Sequence, residues 1–103
     1  NGQLSLQSTY RDDALDGKQE AWSASGVRLR VTLWRAGKKN GTQSLWFSDG
    51  RPQTTATYRD GTLHGRYMLW QRSGGFKAGS CYVSGTETWS TTSEPSARMR
   101  ACP

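Results

Sequence analysis

The chain has 103 residues, and its fourteen Lys and Arg against eight Asp and Glu leave a net charge of +6. Its length admits one domain. Its longest apolar runs fall far short of the ~20 residues of a membrane-spanning helix. Only 33% of residues are hydrophobic, yet five Trp, four Tyr and twelve Gly set the composition apart from disordered chains, which lack aromatics.

Tyr10, Trp22, Trp34, Trp46, Tyr58, Trp70 and Tyr82 follow one another at intervals of twelve residues, and only Tyr67 and Trp89 are further Tyr or Trp. The glycines keep the same rhythm. Gly26, Gly50 and Gly74 recur every twenty-four residues, as do Gly37, Gly61 and Gly85, and Gly17, Gly41 and Gly65. A repeat of this kind marks a modular architecture. The words before these glycines, among them Ser48-Asp49-Gly50, Arg59-Asp60-Gly61 and Val83-Ser84-Gly85, are hairpin turn chemistry, because Gly takes a positive φ without steric cost.

Residues 27–34 alternate strictly between apolar and other side chains, which predicts a half-buried strand. Residues 44–47 and 66–70 are rich in β-formers. No stretch has a helical period. One strand and one turn per twelve residues predicts an all-β, antiparallel β-meander of about six to eight strands, either open or partly closed. Because strand direction reverses at every turn, Tyr10, Trp34, Tyr58 and Tyr82 are expected along one margin and Trp22, Trp46 and Trp70 along the other. Gly17, Gly41 and Gly65 fall inside strands, where Gly is unfavourable. Their recurrence predicts a ring lying over each of them or a bulge.

After Gly85 the rhythm fails, since Trp89 and Glu94 stand where the repeat has Gly and an aromatic. Residues 1–85 are therefore read as the β-repeat domain and 86–103 as an irregular C-terminal cap, because repeat arrays need atypical ends. Cys81 and Cys102 are too far apart for a redox or zinc pair, and with one His they make no usual four-ligand zinc site. They are expected to form a disulfide that pins the tail and contributes about 3 kcal/mol. A disulfide implies an oxidising compartment. Together with a first residue other than Met, it predicts a periplasmic or secreted chain whose signal peptide has been removed.

The half-repeats Trp34-Arg35-Ala36-Gly37-Lys38-Lys39-Asn40-Gly41 with Leu45-Trp46-Phe47-Ser48-Asp49-Gly50, and Tyr58-Arg59-Asp60-Gly61-Thr62-Leu63-His64-Gly65 with Leu69-Trp70-Gln71-Arg72-Ser73-Gly74, resemble MORN repeats. The closer resemblance is to the bacterial MORN variant of antitoxin-like and immunity-like proteins. It is strong over residues 34–74 and weaker over 10–26, where Asp13 replaces the turn Gly. The resemblance implies an elongated, non-enzymatic β-meander that binds protein or, alternatively, acidic lipid. The cysteine pair departs from cytosolic members of the family and points away from a cytosolic scaffold.

His64 occupies the repeat position of Asp16 and Asn40, which predicts a polar hairpin residue and not a catalytic base. Asp49 and Asp60 are likewise read as turn residues, and Asn40-Gly41-Thr42 as a turn in spite of its sequon form. No nucleophile motif accompanies them, so no enzymatic activity, cofactor or metal is expected.

The basic residues carry the functional expectation. Arg28 and Arg30 share parity with Trp34, so one face is predicted to mix rings and guanidinium groups. Trp, Tyr and Arg dominate binding hot spots, and Arg28, Arg30, Trp34, Arg59 and Arg66 are the expected contact residues for another protein. An acidic toxin or effector fits the charge. Nucleic acid or an anionic membrane surface is the alternative partner, and a structural part in an envelope assembly is a third reading.

Overall fold

Two kinds of turn alternate along the chain and generate the twenty-four-residue period. Asp12-Asp13, Ala36-Gly37, Asp60-Gly61 and Ser84-Gly85 have φ between +49° and +86° at both residues. This is the two-residue turn whose twist matches that of the flanking strands. The loops at 24–26, 48–50 and 72–74 have three residues. In each, the Gly N–H bonds back to residue 23, 47 or 71 at 2.9 Å, and the Gly φ is +89°, +90° or +101°. One turn of each kind plus two strands makes one repeat.

The computed structural model describes residues 5–102. The strands are β1 (Ser5–Gln7), β2 (Tyr10–Arg11), β3 (Ala14–Leu15), β4 (Gly17–Trp22), β5 (Arg28–Arg35), β6 (Lys38–Lys39), β7 (Gly41–Trp46), β8 (Pro52–Arg59), β9 (Thr62–Trp70), β10 (Phe76–Val83) and β11 (Thr86–Thr91), followed by helix α1 (Glu94–Met99). The main sheet is antiparallel and runs β1-β4-β5-β7-β8-β9-β10-β11, with β6 beside β5 as its ninth strand, while β2 and β3 pair separately. It stays open, with β1 and β11 as its two edges. The meander is the one the spacing predicts. Tyr10, Trp34, Tyr58 and Tyr82 precede the two-residue turns, and Trp22, Trp46 and Trp70 precede the three-residue loops.

Of the two alternatives expected at the in-strand glycines, the irregular strand is the one seen, and the atoms nearest a side chain at Gly17 and Gly41 belong to Thr9 and Leu33 and not to a ring. Gly17, Gly41 and Gly65 oppose Trp34, Tyr58 and Tyr82 across the ladder. The strands are irregular there: Asn40 separates β6 from β7, and the β8–β9 register shifts between Ala56 and Tyr58. Gly41 has φ +108°, and a Cβ on it would lie 2.8 Å from Leu33 Cδ1.

A second set of bulges lies at the other margin. The register shifts between Ala21 and Trp22, between Leu45 and Trp46, and between Phe76 and Ala78. Leu29, Gln53 and Lys77 are the extra residues. A bulge re-aims the side chains around it, and this decides which residues share a face.

The molecule measures 36 × 34 × 15 Å, the thickness of one sheet with its side chains. Ala21, Thr32, Thr54 and Ala56 are buried because they are short and sit between longer neighbours in the same sheet. The low hydrophobic content thus fits a single layer, which leaves no thick core to fill.

The sheet does not stop at Gly85. Residues 86–91 are its last strand and 94–99 a helix, where an irregular cap and no helix are the sequence expectations. Helix α1 is too short to show a period. The Ser93 side chain caps it by accepting from the Ser96 N–H at 3.5 Å, and Pro95 lies in its first turn. It packs through Ala97, which is fully buried, against Gly79, whose lack of a side chain makes the approach possible: a Cβ there would lie 2.6 Å from Ala97 Cβ. The disulfide between Cys81 and Cys102, with Cα atoms 5.8 Å apart, fixes the tail beyond the helix.

A candidate protein-binding surface

Hydrogen bonds define the two faces of the sheet. Trp34 Nε1 donates to Gln19 Oε1 at 3.1 Å and Gln43 Nε2 to Thr32 Oγ1 at 3.2 Å. Successive strand residues alternate, so Gln19, Thr32, Trp34 and Gln43 share the front face. The register carries that row on through Ala56, Tyr67 and Ser80. Parallel to it on the same face runs the row Ala21, Arg30, Leu45, Thr54, Leu69 and Ala78. The back face carries Met68 and Gly79 and is covered there by α1. Among the described residues, no second layer covers the front.

The five expected contact residues do not form one patch. Arg30 and Trp34 lie on the front face, two strand positions on either side of Thr32. Arg28 does not join them, because the bulge at Leu29 breaks the parity. Its Nη1 reaches Glu20 Oε2 at 3.3 Å, on the face opposite Trp34, and its guanidinium stacks on Trp46 at 4.8 Å. Arg59 lies at the margin of the two-residue turns, in a small hollow with Asp60, Thr62, His64 and Ser84. Arg66 is on the back face, where its guanidinium donates to the carbonyls of Ala97, Arg98 and Arg100 at 3.0, 3.2 and 2.7 Å. It holds the end of the C-terminal helix.

The cations divide into paired and unpaired. Lys18 and Arg28 pair with Glu20, Arg35 with Asp60, Arg51 with Asp49 and Arg98 with Glu94. The other nine, Arg30, Arg72 and Lys77 included, have no carboxylate partner among the described residues. The Arg30 Nε is buried without a hydrogen-bond partner. Arg72 stacks on Phe47 at 5.5 Å.

Arg72 and Lys77 rim a groove of about 470 Å³ next to the three-residue loops. Thr54 and Leu69 form its floor and Phe47 an apolar wall, while the Trp70 ring, though that residue also borders the groove, lies on the back face beside Phe76. Two amides, of Gln53 and Gln71, complete it. Arg51 braces the neighbouring loops, donating from Nη1 to the carbonyls of Arg72 and Ser73 at 3.4 and 3.1 Å. The groove escapes a reading of the repeat alone. Its one sequence signal is that Phe47 stands where the preceding repeat has Ser23.

His64 is a repeat residue, as its register predicts. Its Nδ1 accepts the Ser84 N–H at 3.0 Å, as Asn40 Oδ1 accepts the Asp60 N–H at 3.3 Å and Asp16 Oδ1 the Ala36 N–H at 3.2 Å. With Nδ1 an acceptor, the ring proton sits on Nε2, so Arg59 Nη1, 3.4 Å from Nε2, meets a donor and forms no hydrogen bond. No group of three or more His, Cys, Asp or Glu among the described residues is placed to hold a metal ion. Comparisons with known protein families, curated proteins and solved structures give no match.

Proposed function

We propose that this chain is a non-enzymatic protein-binding module that works outside the cytosol, docking or neutralising an acidic protein partner such as a toxin or effector. The observation that carries this reading is the uncovered front face, on which Trp34, Tyr67 and Leu69 accompany Arg30, Arg72 and Lys77, three cations without a carboxylate partner. Aromatic and Arg side chains supply most of the energy in protein interfaces. Unpaired positive charge speeds encounter with an acidic surface. The resemblance to antitoxin-like MORN repeats supports the same class of partner. The disulfide supports an oxidising compartment and, with it, export. No helix among the described residues is long and apolar enough to cross a membrane.

Co-expression with the products of neighbouring genes tests the proposal. The expected result is a stoichiometric complex that survives size-exclusion chromatography and weakens when Arg30 and Arg72 are changed to Glu. Retention on DNA, RNA or anionic vesicles with steep salt dependence, and no protein complex, would overturn it and favour the nucleic-acid or lipid alternative.

A further inference from the structure

The groove between the second and third three-residue loops exists because one repeat position changes size. In the preceding repeat the equivalent of Thr54 is Arg30, whose long side chain occupies that part of the front face. Thr54 fills only the floor of the space. The bulges then bring in the extra residues Gln53 and Lys77. Arg72, carried by the third loop, lies over the Phe47 ring at 5.5 Å. Its one side-chain hydrogen bond is a long one, from Nη2 to Ser48 Oγ at 3.5 Å.

We infer that this groove is the seat for a carboxylate side chain presented by an extended segment of the partner protein. The inference rests on the protein-binding reading. Two cations converge on the groove and none of its lining residues is acidic, so the negative charge has to come from the occupant. The Arg72 guanidinium lies over the Phe47 ring, and its fork of N–H donors matches the geometry of a carboxylate. The Gln53 and Gln71 amides donate and accept, which suits the alternating backbone groups of an extended chain. Leu69 offers the apolar contact for a neighbouring side chain. Nucleic acid fits less well, because Arg72 lies over the Phe47 ring and the Trp70 ring is on the opposite face of the sheet, beside Phe76. The groove thus presents one ring, already stacked on one side, for the base stacking on which single-strand binding depends.

The test is an NMR titration of the oxidised, 15N-labelled chain with the peptide acetyl-Gly-Glu-Leu-Glu-Gly-amide and with its counterpart bearing Gln in place of both Glu. The expected result is shifts confined to the side-chain amides of Gln53 and Gln71 and the backbone of Leu69, Trp70 and Arg72, with the Gln peptide roughly tenfold weaker. The variant Lys77→Glu, with an unchanged spectrum elsewhere, is expected to lose the Glu peptide. Equal affinity for the two peptides, shifts away from the groove, or no shift at millimolar peptide overturns the inference. So does the same set of resonances responding to oligogalacturonate or oligo-dT but not to the Glu peptide. Variants at Arg72 and Lys77 that lose the peptide but retain a native protein complex would overturn the groove assignment and leave the module's proposed function standing. Peptide binding by a chain with no protein partner would do the reverse.

Discussion

The imidazole of His64 and the backbone of Ser84 are joined by a 3.0 Å hydrogen bond in which Nδ1 is the acceptor. The same position is Asp16 one end of the array and Asn40 in the middle, each accepting from the turn one repeat further on. Alongside runs a backbone bond of the same period, from Gly37, Gly61 and Gly85 N–H to the carbonyls of Leu15, Lys39 and Leu63 at 2.7–2.8 Å. Each two-residue turn is thereby latched to the hairpin before it.

Of the three latches, only that of His64 uses a ring nitrogen as its acceptor. His64→Asn is expected to preserve stability, as Asn40 does in its own repeat, and His64→Ala to lose about 1 kcal/mol. Urea denaturation of the three proteins side by side checks the mechanism. Equal midpoints for wild type and His64→Ala would rule the latch out.

Gly41 is expected to be the least replaceable residue of its strand. At φ +108° an L side chain is strained, and its Cβ would lie 2.8 Å from Leu33 Cδ1. Gly41→Ala should cost on the order of 1–3 kcal/mol. Adding Leu33→Ala separates the two causes through a double-mutant cycle. Recovery in the double variant identifies the clash, and purely additive losses identify backbone strain.

The C-terminal helix depends on Gly79 and on the disulfide for its seat. Gly79→Ala forces Ala97 away and is expected to destabilise the fold by about 1–3 kcal/mol. It should also speed reduction of the Cys81–Cys102 bond, because the segment leading to Cys102 loses its packing. Thiol release under mild reductant measures that rate. Full reduction of the wild-type chain should cost about 3 kcal/mol in a denaturant titration. An unchanged midpoint after reduction would show that Arg66 and Ala97 hold the tail without the bond.

Burial pushes the Tyr82 phenol above its ordinary value of 10.0, and the Glu87 carboxylate beside it adds to the shift. Tyr82 Oη donates to Glu87 Oε2 at 3.4 Å. The fold therefore favours the neutral phenol. Its contribution is complete below the value of an unfolded tyrosine and is lost as pH rises through the higher folded value. Wild type is expected to lose stability above about pH 10 more steeply than Tyr82→Phe. Denaturation midpoints measured in parallel on the two proteins give the difference curve, and superimposable curves would refute the assignment.

The sequence by itself determined the meander, its period, the margins on which the rings lie and the partner of each cysteine. These follow from local chemistry that repeats: Gly and Asp at turns that need positive φ, and rings at fixed distances from them. It also placed His64 among turn-side polar residues, since Asp16 and Asn40 share its register. Tertiary structure decided the rest. Parity along a strand fails at a bulge, and bulges depend on how two strands align, so Arg28 and Arg30 part company although they are two residues apart. A six-residue helix has no period to read and exists because Ala97 finds space over Gly79, eighteen residues earlier in the chain. Arg66 is drawn to that helix by three carbonyls that the fold alone brings to it. The groove, too, arises only when Thr54, Lys77 and Arg72, from two strands and a loop, meet across the sheet.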